Sequence, residues 1–354
     1  MVDKIFRYYR QPIGDAYKAY INDYLGKIGG RTKGLCDLYE NYAVLDSNFP
    51  RPILTFLGIN ANANELKDIS TFRDIQLLFI PQLVRDFLAI HDDIIDEDLI
   101  KFNCDSLPYS FSKVHKKDTL RMNKWGKDVA LLFADMQLSA PLNIISSLYV
   151  DHVTRMKLLN IVSQIFLTTN KGQIDELLLN DIPLGDISPN EIADIYQNKA
   201  ADYCYAFPLT LGLVYSEANS QIIEEMRMIM LKLGFFSQII NDIEGVFFEH
   251  FDNERDTLSD LMFMRRTYLL VKFYHSTNDD NKKILNLPNL SKEQANFIKN
   301  EIINSRVILE LKNEIEMGCV QLKEDITSLQ IGMVLKEYLL GLVNSRILAN
   351  ISKV

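Results

Sequence analysis

Glycine and proline, the residues that most often interrupt regular secondary structure, are scarce in this sequence. The 354 residues include 15 glycines and 10 prolines, whereas average usage would supply about 40 in total. Tight turns between short strands depend on these two residues. Their scarcity argues against a sandwich, a barrel or alternating strands and helices. It favours long helices joined by modest loops.

Cysteine is also sparse and shows no paired spacing. The sequence has four cysteines and no CxxC pair. Isolated cysteines are typical of reduced thiols in a cytoplasmic protein. The N-terminus lacks the apolar core of a signal peptide, so we predict a cytoplasmic location.

No long hydrophobic run is free of polar residues. The most apolar stretch, residues 129–150, contains Asp135, Gln137 and Asn143. A membrane-spanning helix needs about 20 predominantly apolar residues. We therefore predict a buried helix here, and a protein that is not integral to a membrane.

Positive charge is in deficit: 38 lysines and arginines face 47 acidic residues, giving a net charge of −9. Nucleic-acid binding needs clustered cations, so we predict no nucleic-acid partner. A small anionic ligand is not excluded, because a metal or a local group of cations can bind it. Hydrophobic residues make up 47% of the chain, enough for a large core.

Helical signals dominate what is present. Ser188 and Glu191 form a capping-box pattern around Pro189, which predicts a helix toward Tyr205. A long helix is predicted from Gln221 to about Glu249. The irregular stretch 102–118 and the polar stretch 275–289 are predicted to be loops. We predict a single all-α domain over residues 1–354.

Acidic residues are concentrated between His91 and Asp98 (HDDIIDED). On a helix, Asp92 and Asp96 share one face, while Asp93 lies on the adjacent face. A solvated acidic helix end is one interpretation. Apolar residues interleave the acids, however, and Mg²⁺ is typically held by one or two carboxylates together with substrate phosphates. We therefore favour a divalent-cation site.

A second polar group lies on the predicted long helix. Asn241, Gly245 and Glu249 are four residues apart and share a face. Asn241 and Glu249 could hold one cation, whereas Asp242 is a weaker candidate, as is Asp93 in the first cluster. This pattern alone fits a structural role equally well. Paired with the first cluster, it predicts a site for several metal ions.

No common phosphate loop, zinc motif or nucleophile motif is present. A bound phosphate would therefore depend on metals and individual cations. Lys199 and Arg265 are the leading candidates, because they lie in otherwise apolar helical segments. Arg51 and Lys101 are further candidates.

These features, taken in chain order, resemble the trans-isoprenyl diphosphate synthases. Asp92–Asp96 resembles the first aspartate-rich motif of that family, DDxxD. Segments resembling other family motifs follow the family order over most of the chain: Arg51–Leu54, Gly126–Asp135, Gly172–Asp175, Lys199–Ala201, Pro208–Gly212, Phe236–Asp242 and Asp260–Thr267. The resemblance implies the isoprenoid-synthase fold, a large helical bundle around a central cavity. It also implies a homodimer and three Mg²⁺ ions bound with the substrate diphosphate.

The sequence departs from the family where elongating members bind isopentenyl diphosphate. Asn48 stands for a lysine, Arg85 for a histidine or glutamine, Phe102 for an arginine and Ala200 for a threonine. The second aspartate-rich motif is also altered. Asn241–Glu249 instead resembles the metal-binding triad of terpene cyclases. The residues that bind the allylic diphosphate in the family are better retained.

This combination favours a class I terpene synthase, a carbon–oxygen lyase that ionises an allylic prenyl diphosphate and cyclises or rearranges the cation. The resemblance implies metal binding by Asp92, Asp96, Asn241 and Glu249. It implies diphosphate binding by Lys199, Arg265, Lys101 and Arg51. Asp92, Asp96 and Lys199 would be the catalytic residues.

Two other functions stay open. The alternative is a prenyltransferase, either a short-chain isoprenyl diphosphate synthase or an enzyme that uses another acceptor. A non-catalytic subunit of a prenyl synthase is the third. The intact Asp92 and Asp96 pair argues against the third possibility, because paired carboxylates have no use in a subunit without catalysis.

The hydrocarbon cavity is expected to be lined by Phe87, Leu88, Phe207, Gln173 and Gln238. Ordinary core packing is the alternative for each aromatic residue. In the family, residues just before DDxxD set how deep the hydrocarbon tail can reach. A bulky Phe87 there predicts a C15 substrate, with C10 or C20 possible.

Overall fold

The structure is a computed structural model of the chain. It describes residues 2–45, 48–101, 104–115, 122–247 and 258–353. Two residues of the sequence analysis, Phe102 and Glu249, lie outside these ranges.

The described chain is almost entirely helical, as the composition predicts. Its α-helices are α1 (Val2–Gly26), α2 (Lys33–Ala43), α3 (Pro50–Ile59), α4 (Ile80–Ile95), α5 (Leu107–Val114), α6 (Lys124–Ser147), α7 (His152–Leu179), α8 (Pro189–Tyr196), α9 (Phe207–Tyr215), α10 (Ser220–Phe247), α11 (Ser259–Met262), α12 (Tyr268–Ser276), α13 (Asp279–Leu285), α14 (Lys292–Ile303), α15 (Arg306–Ser328), α16 (Met333–Leu342) and α17 (Ala349–Ile351).

Shorter elements complete the chain. Strands β1 (Ile100–Lys101) and β2 (Cys104–Asp105) form an antiparallel pair in which Lys101 lies opposite Cys104. The 3₁₀ helices are Gly30–Thr32, Ile69–Thr71, Ile75–Phe79 and Leu184–Asp186. Two segments are π-helical, Gln197–Ala206 and Val343–Leu348.

The capping box at Ser188 is confirmed. The Ser188 hydroxyl accepts from the Glu191 N–H at 3.3 Å, and the Glu191 carboxylate accepts from the Ser188 N–H at 2.8 Å. The helix continues past Tyr196 as the π-helix Gln197–Ala206. A π-helix, in which each N–H bonds five residues back, is rare and is often found at functional sites.

Two predicted loops contain helices instead. Within 275–289, α13 begins after Asn278, whose side chain accepts from the Asn281 N–H at 2.9 Å, and Leu285 is buried. Within 102–118, α5 places Phe111 in the core. Both helices are short, so they show little helical periodicity in the sequence. Their formation depends on the burial of a few apolar residues.

The chain divides into two compact units. Unit 1 comprises Met1–Ser163, Phe207–Ala218 and Gly332–Leu335. Unit 2 comprises Gln164–Ala206, Asn219–Ile331 and Lys336–Val354. The prediction of one domain over the whole chain stays a prediction.

In unit 1, α3 and α9 cross at very short distance. A Cβ atom on Gly58 would lie 2.6 Å from the Leu209 carbonyl oxygen. A Cβ atom on Gly212 would lie 2.8 Å from the Ile59 nitrogen and would overlap the Thr55 carbonyl oxygen. These glycines are therefore required by backbone-to-backbone packing.

Unit 2 uses glycine in the same way. A Cβ atom on Gly234 in α10 would lie 2.6 Å from the Ala201 Cβ. One on Gly172 in α7 would lie 2.7 Å from the Lys199 nitrogen. The π-helix Gln197–Ala206 is therefore held closely by both α7 and α10.

Helix α6 corresponds to the apolar stretch of the sequence. It is the one described helix long and apolar enough to cross a membrane, and 44% of its most apolar window is buried. Its buried face includes Ala130, Phe133 and Ala134, and α6 packs on α4 and α5. A core helix of this length and composition meets the same criteria as a membrane span.

We expect Gly212→Ala to destabilise unit 1 by about 1–3 kcal/mol, because the added methyl group has no space beside the α3 backbone. Urea unfolding followed by circular dichroism measures this. Gly34→Ala in α2 is the control, because its Cβ would have nothing within 4 Å. That change should alter the free energy of unfolding by less than about 0.5 kcal/mol, as exposed substitutions usually do. Equal effects of the two variants would contradict the packing argument.

Candidate active site

The first acidic cluster lies where α4 ends. Asp92 and Asp93 belong to the last turn of α4, and Asp96 is its C-cap residue. Helix C-termini already carry partial negative charge from unpaired carbonyls. Carboxylates at this end of the helix are therefore stable only if a cation offsets their charge.

Lys101 on β1 supplies that cation. Its Nζ lies 3.1 Å from the Asp92 Oδ2, 2.8 Å from the Asp93 Oδ1 and 4.0 Å from the Asp98 Oδ2. Burial lowers the pKa of Lys101, but the ion pairs with Asp92 and Asp93 outweigh burial, so the pKa is raised. The lysine therefore stays charged among the carboxylates.

Asp93 faces the interior of unit 1, whereas Asp96 is exposed. The Tyr42 hydroxyl donates to the Asp93 Oδ2 at 3.4 Å. Burial raises the pKa of Asp93 to about 6, and Lys101 partly offsets this effect. The structure thus gives Asp93 an interior role beside Lys101. Asp92 is half-buried and Asp96 exposed, so both are open to a ligand.

A buried ion pair fixes α4 two turns earlier. The Arg85 Nη1 lies 2.9 Å from the Asp86 Oδ1. The Tyr17 and Tyr39 hydroxyls donate to the Asp86 Oδ2 at 2.9 and 2.8 Å. Burial raises the pKa of both tyrosines well above the usual value, so they stay protonated donors. This network joins α1 and α2 to α4.

The predicted diphosphate residue Lys199 lies in unit 2, on the π-helix. Its ammonium group pairs with the carboxylate of Glu176 on α7. The Gln173 side-chain amide donates to the same Glu176 oxygen at 3.1 Å. Gln173 therefore holds Glu176 in place for Lys199.

In the second polar group, Asn241 is exposed and Asp242 is turned inward. The Tyr196 hydroxyl contacts both Asp242 oxygens, at 2.9 and 2.7 Å. The Leu269 N–H donates to the Asp242 Oδ2 at 3.4 Å. Burial raises the pKa of Asp242 to about 8, and the nearby charge of Asp260 contributes in the same direction.

Arg265 and Asp260 lie beside Asp242. The Arg265 Nη1 is 3.4 Å from the Asp260 Oδ1. Asp242, Gly245, Asp260 and Arg265 all line one small cavity of unit 2. This cavity brings acidic oxygens next to a cation, but its volume of about 10 Å³ has room for no more than one water molecule.

The neighbouring Arg266 has a different role. Its guanidinium group donates to the backbone carbonyl oxygens of Met264, Asn180 and Ile182. Those bonds tie the end of α7 to the segment before α12. Arg265 is therefore the better candidate for ligand binding, as the sequence analysis expects.

The predicted cavity residues are divided between the units. Phe87 is buried in unit 1, with its ring centre 4.3 Å from that of His91. Leu88 is half-buried on α4, and Phe207 is buried in α9. In unit 2, Gln238 is half-buried on α10. Whether these residues line a hydrocarbon cavity stays a prediction.

Sequence reasoning missed two residues of these clusters, Glu176 and Tyr196, and it gave no site role to Asp260, which begins the motif segment Asp260–Thr267. Glu176 directly follows the Gly172–Asp175 motif, and Tyr196 ends α8 three residues before Lys199. Asp260 lies five residues before Arg265, which was a usable signal. The tyrosine contact joins positions 46 residues apart and has no local signature.

Comparison with known proteins places the chain in a family. A sequence model described as polyprenyl synthetase matches residues 35–305. Solved structures share the fold over nearly the whole chain. A geranylgeranyl pyrophosphate synthase from Corynebacterium glutamicum, complexed with isoprenyl diphosphate and magnesium, gives a TM-score of 0.84 at 16% identity. That match covers 98% of this chain and 99% of the other. The chain therefore has the all-α fold of isoprenyl diphosphate synthases, and it belongs to the polyprenyl synthetase family.

Two curated relatives are similar in sequence. The geranylgeranyl diphosphate synthase of Saccharolobus solfataricus is 23% identical over 206 residues, 58% of this chain and 57% of that protein. The synthase of the same name from Sulfolobus acidocaldarius is 24% identical over 230 residues, 64% of each. The chain thus matches less than two thirds of the length of either relative. A structure from Pyrococcus horikoshii, titled geranylgeranyl pyrophosphate synthetase, is 13% identical and gives a TM-score of 0.78 over 98% of both chains.

The raised pKa of Asp242 predicts a pH dependence of stability in metal-free protein. The unfolded pKa is about 3.9, so the protonated folded carboxyl contributes stability that is lost as pH rises from about 4 to 8. Asp242→Asn removes this loss. Between pH 5 and 7.5, the free energy of unfolding of the variant should therefore rise by about 1–3 kcal/mol relative to that of the wild type.

Urea unfolding in EDTA at several pH values tests this expectation. Asp280→Asn is the control, because Asp280 is a carboxylate 88% exposed on α13. Its pH profile should match that of the wild type. If the free energy of unfolding of Asp242→Asn changed with pH in parallel with that of the wild type, Asp242 would titrate normally.

Proposed function

We propose that the protein is a prenyltransferase that joins an allylic prenyl diphosphate to isopentenyl diphosphate, with a C15 substrate giving a C20 diphosphate. The observation that carries this proposal is the match of the polyprenyl synthetase family over residues 35–305. The names of the two curated relatives support the C20 product. These comparisons favour the alternative prediction, prenyl transfer, over cyclisation.

The residues that would bind the allylic diphosphate are present in both units. In unit 1 these are Asp92 and Asp96, with Lys101 paired to Asp92, and Arg51 in the first turn of α3. In unit 2 the candidates and their neighbours are Lys199, Arg265, Asp260, Asn241 and Asp242.

Mg²⁺ fits this set of side chains. Within the described ranges, no group of three or more His, Cys, Asp and Glu side chains could hold a metal ion. Mg²⁺ is usually held by one or two carboxylates, with the substrate phosphates as the remaining ligands. Asp92 and Asp96 are the carboxylates we propose in unit 1. Bound Mg²⁺ would stabilise the negative charge of the departing diphosphate.

The cations add to this effect. Lys199 and Arg265 can form charge-assisted hydrogen bonds to diphosphate oxygens. These bonds strengthen as the carbon–oxygen bond breaks and charge accumulates on the leaving group. The allylic cation that remains would react with the double bond of isopentenyl diphosphate.

The substituted acceptor positions are the argument for the competing function, terpene cyclisation. Arg85, at one of these positions, is only 2% exposed and pairs with Asp86. Asn48 is exposed, and Ala200 has no hydroxyl group. Isopentenyl diphosphate would therefore bind through fewer cations here, and we expect a high KM for it.

An elongation assay decides between the two reactions. Purified protein with farnesyl diphosphate, isopentenyl diphosphate and Mg²⁺ should produce a C20 diphosphate. The same mixture without isopentenyl diphosphate should yield no hydrocarbon. Chromatography with mass detection identifies the products of the two mixtures.

Asp92→Ala is the loss-of-function variant in this assay, because it removes a proposed metal ligand at a half-exposed position and should leave the fold intact. Asp128→Ala is the matched control, an aspartate of α6 paired with Lys124 at the surface. Formation of a cyclic hydrocarbon, with no extension, would instead support the terpene synthase.

We also propose a homodimer and a cytoplasmic location. None of the four cysteines, all of which lie in the described ranges, is in a disulfide bond, as expected of a reducing compartment. Helix α6 exposes several leucines on the side away from its buried face, namely Leu131, Leu132, Leu138 and Leu142. Exposed apolar side chains collected on one helix are typical of a protein–protein interface.

Leu132→Glu should weaken the dimer, because it places a charge in the proposed interface. Leu132 is 64% exposed. Leu309→Glu on α15 is the control, since Leu309 is 60% exposed. Light scattering after size-exclusion chromatography should show a dimer for the wild type and the control. Leu132→Glu should shift the mass toward the monomer. A monomeric wild type would contradict the dimer.

A further inference from the structure

A large cavity of unit 2 lies apart from the acidic clusters described above. Its volume is about 1050 Å³, comparable to the upper end of the range of about 300–1,000 Å³ that is usual for small-molecule sites. It lies mainly between the first half of α10 and the end of α15. It shares no lining residue with the small cavity at Asp242 and Arg265.

Part of the cavity wall is apolar. Ile229, Leu322 and Leu329 line it and are otherwise buried. Phe235 is half-buried beside them, and Met228 is 58% exposed. A methionine has a flexible, polarisable side chain that adapts to ligands of different shape. The cavity can therefore take up the hydrocarbon part of a ligand.

Two carboxylates on different helices line the same cavity, Glu225 on α10 and Asp325 on α15. Each accepts a hydrogen bond from an amide one turn earlier. Gln221 donates to Glu225 at 2.8 Å, and Gln321 donates to Asp325 at 2.9 Å. Among the residues that the structure describes, neither carboxylate forms an ion pair. The amides hold the carboxylates in place but leave their charge uncompensated.

The one lysine of the cavity lies away from these carboxylates. Burial raises the pKa of the Cys319 thiol to about 11, and the charge of Lys232 is among those that partly offset this effect, so Lys232 lies near Cys319. The cavity is lined by residues before Lys232 on α10 and after Cys319 on α15, so the two helices run antiparallel along it. Asp325 and Glu225 are thus each about 9–11 Å of helix from that point, toward the same end.

The third carboxylate of the cavity, Glu224, is exposed and has a cation near it. Asp202 and, to a smaller extent, Glu224 raise the pKa of Arg227. The end of the cavity at Glu225 and Asp325 therefore carries the excess negative charge. An anionic ligand such as a diphosphate would be repelled there.

We propose that this cavity is a binding site for an amine with a hydrocarbon body. Its ammonium group would lie near Glu225 and Asp325, where it gains charge-assisted hydrogen bonds. Its hydrocarbon part would extend along Ile229 and Leu322 toward Lys232. The site is separate from the one proposed for prenyl diphosphates and does not depend on that function.

Three probes that share one hydrocarbon chain and differ in head group test the site: octylammonium, octanol and octanoate. Calorimetry on the whole chain should show that octylammonium binds roughly tenfold more tightly than octanol, the scale of one favourable charge interaction at a half-exposed site. Octanoate should bind more weakly than octanol. Because the hydrocarbon contribution is the same, this order reports the charge of the cavity.

The double variant Glu225→Gln/Asp325→Asn keeps the shapes of the side chains and removes both charges. It should bring the affinity for octylammonium within about twofold of that for octanol. The matched control is Asp280→Asn/Glu293→Gln, which removes two exposed carboxylates of unit 2 that do not line the cavity. The control should keep the preference of the wild type. If the double variant does not fold, Glu225→Gln and Asp325→Asn are measured singly.

A second pair of variants tests the apolar wall. Met228→Ser should weaken the binding of all three probes roughly threefold, because it removes apolar contact area from an exposed position. Met317→Ser is its control, since Met317 is 74% exposed and lies outside the cavity. That control should leave all three affinities unchanged.

Three results would overturn the proposal. Equal affinities of the wild type for octylammonium and octanol would show that the carboxylates do not select an ammonium group. Unchanged affinities in Met228→Ser would show that the probes bind elsewhere. A lower mass of Met228→Ser in light scattering, relative to Met317→Ser, would show that a second copy of the chain covers the cavity.

Discussion

Carboxylates that lie close together repel one another, and each acidic cluster of this protein is arranged around a cation that offsets the repulsion. In unit 1, Lys101 reaches both Asp92 and Asp93 at the negative end of α4. In unit 2, Arg265 lies beside Asp260, and Lys199 pairs with Glu176. These pairs keep the acidic groups folded in place. Binding of a metal-bound diphosphate by these clusters remains the proposal.

The position of α4 depends on a second, fully buried ion pair. Arg85 and Asp86 lie in the interior of unit 1, where Tyr17 and Tyr39 complete the hydrogen bonds of the carboxylate. A buried charge left without its partner is strongly destabilising. The network therefore holds α4 against α1 and α2, and so fixes the direction of the acidic residues at its end. Arg85, where the resemblance implies a histidine or glutamine, is part of this network.

Cyclisation and elongation are chemically related functions, and the family assignment favours elongation. Cyclisation and elongation begin with the same ionisation, so Asp92, Asp96 and Lys199 support both equally. The substitutions at the acceptor positions favour cyclisation, whereas membership in the polyprenyl synthetase family favours chain extension. The burial of Arg85 weakens the argument from substitution, because this residue is explained by packing within unit 1.

The amino-acid sequence by itself determined the all-helical character, the helix start at Ser188 and the motifs that identify the family. These are local properties, set by periodicity, capping residues and short spacings. Only the tertiary structure decided which partner each polar residue meets. Asp242 turns toward Tyr196, Arg266 binds backbone carbonyl groups, and Glu176 pairs with Lys199. Helical periodicity shows which residues share a face, but it does not show which residues on other helices pack against that face. That depends on close helix contacts such as those at Gly172 and Gly234.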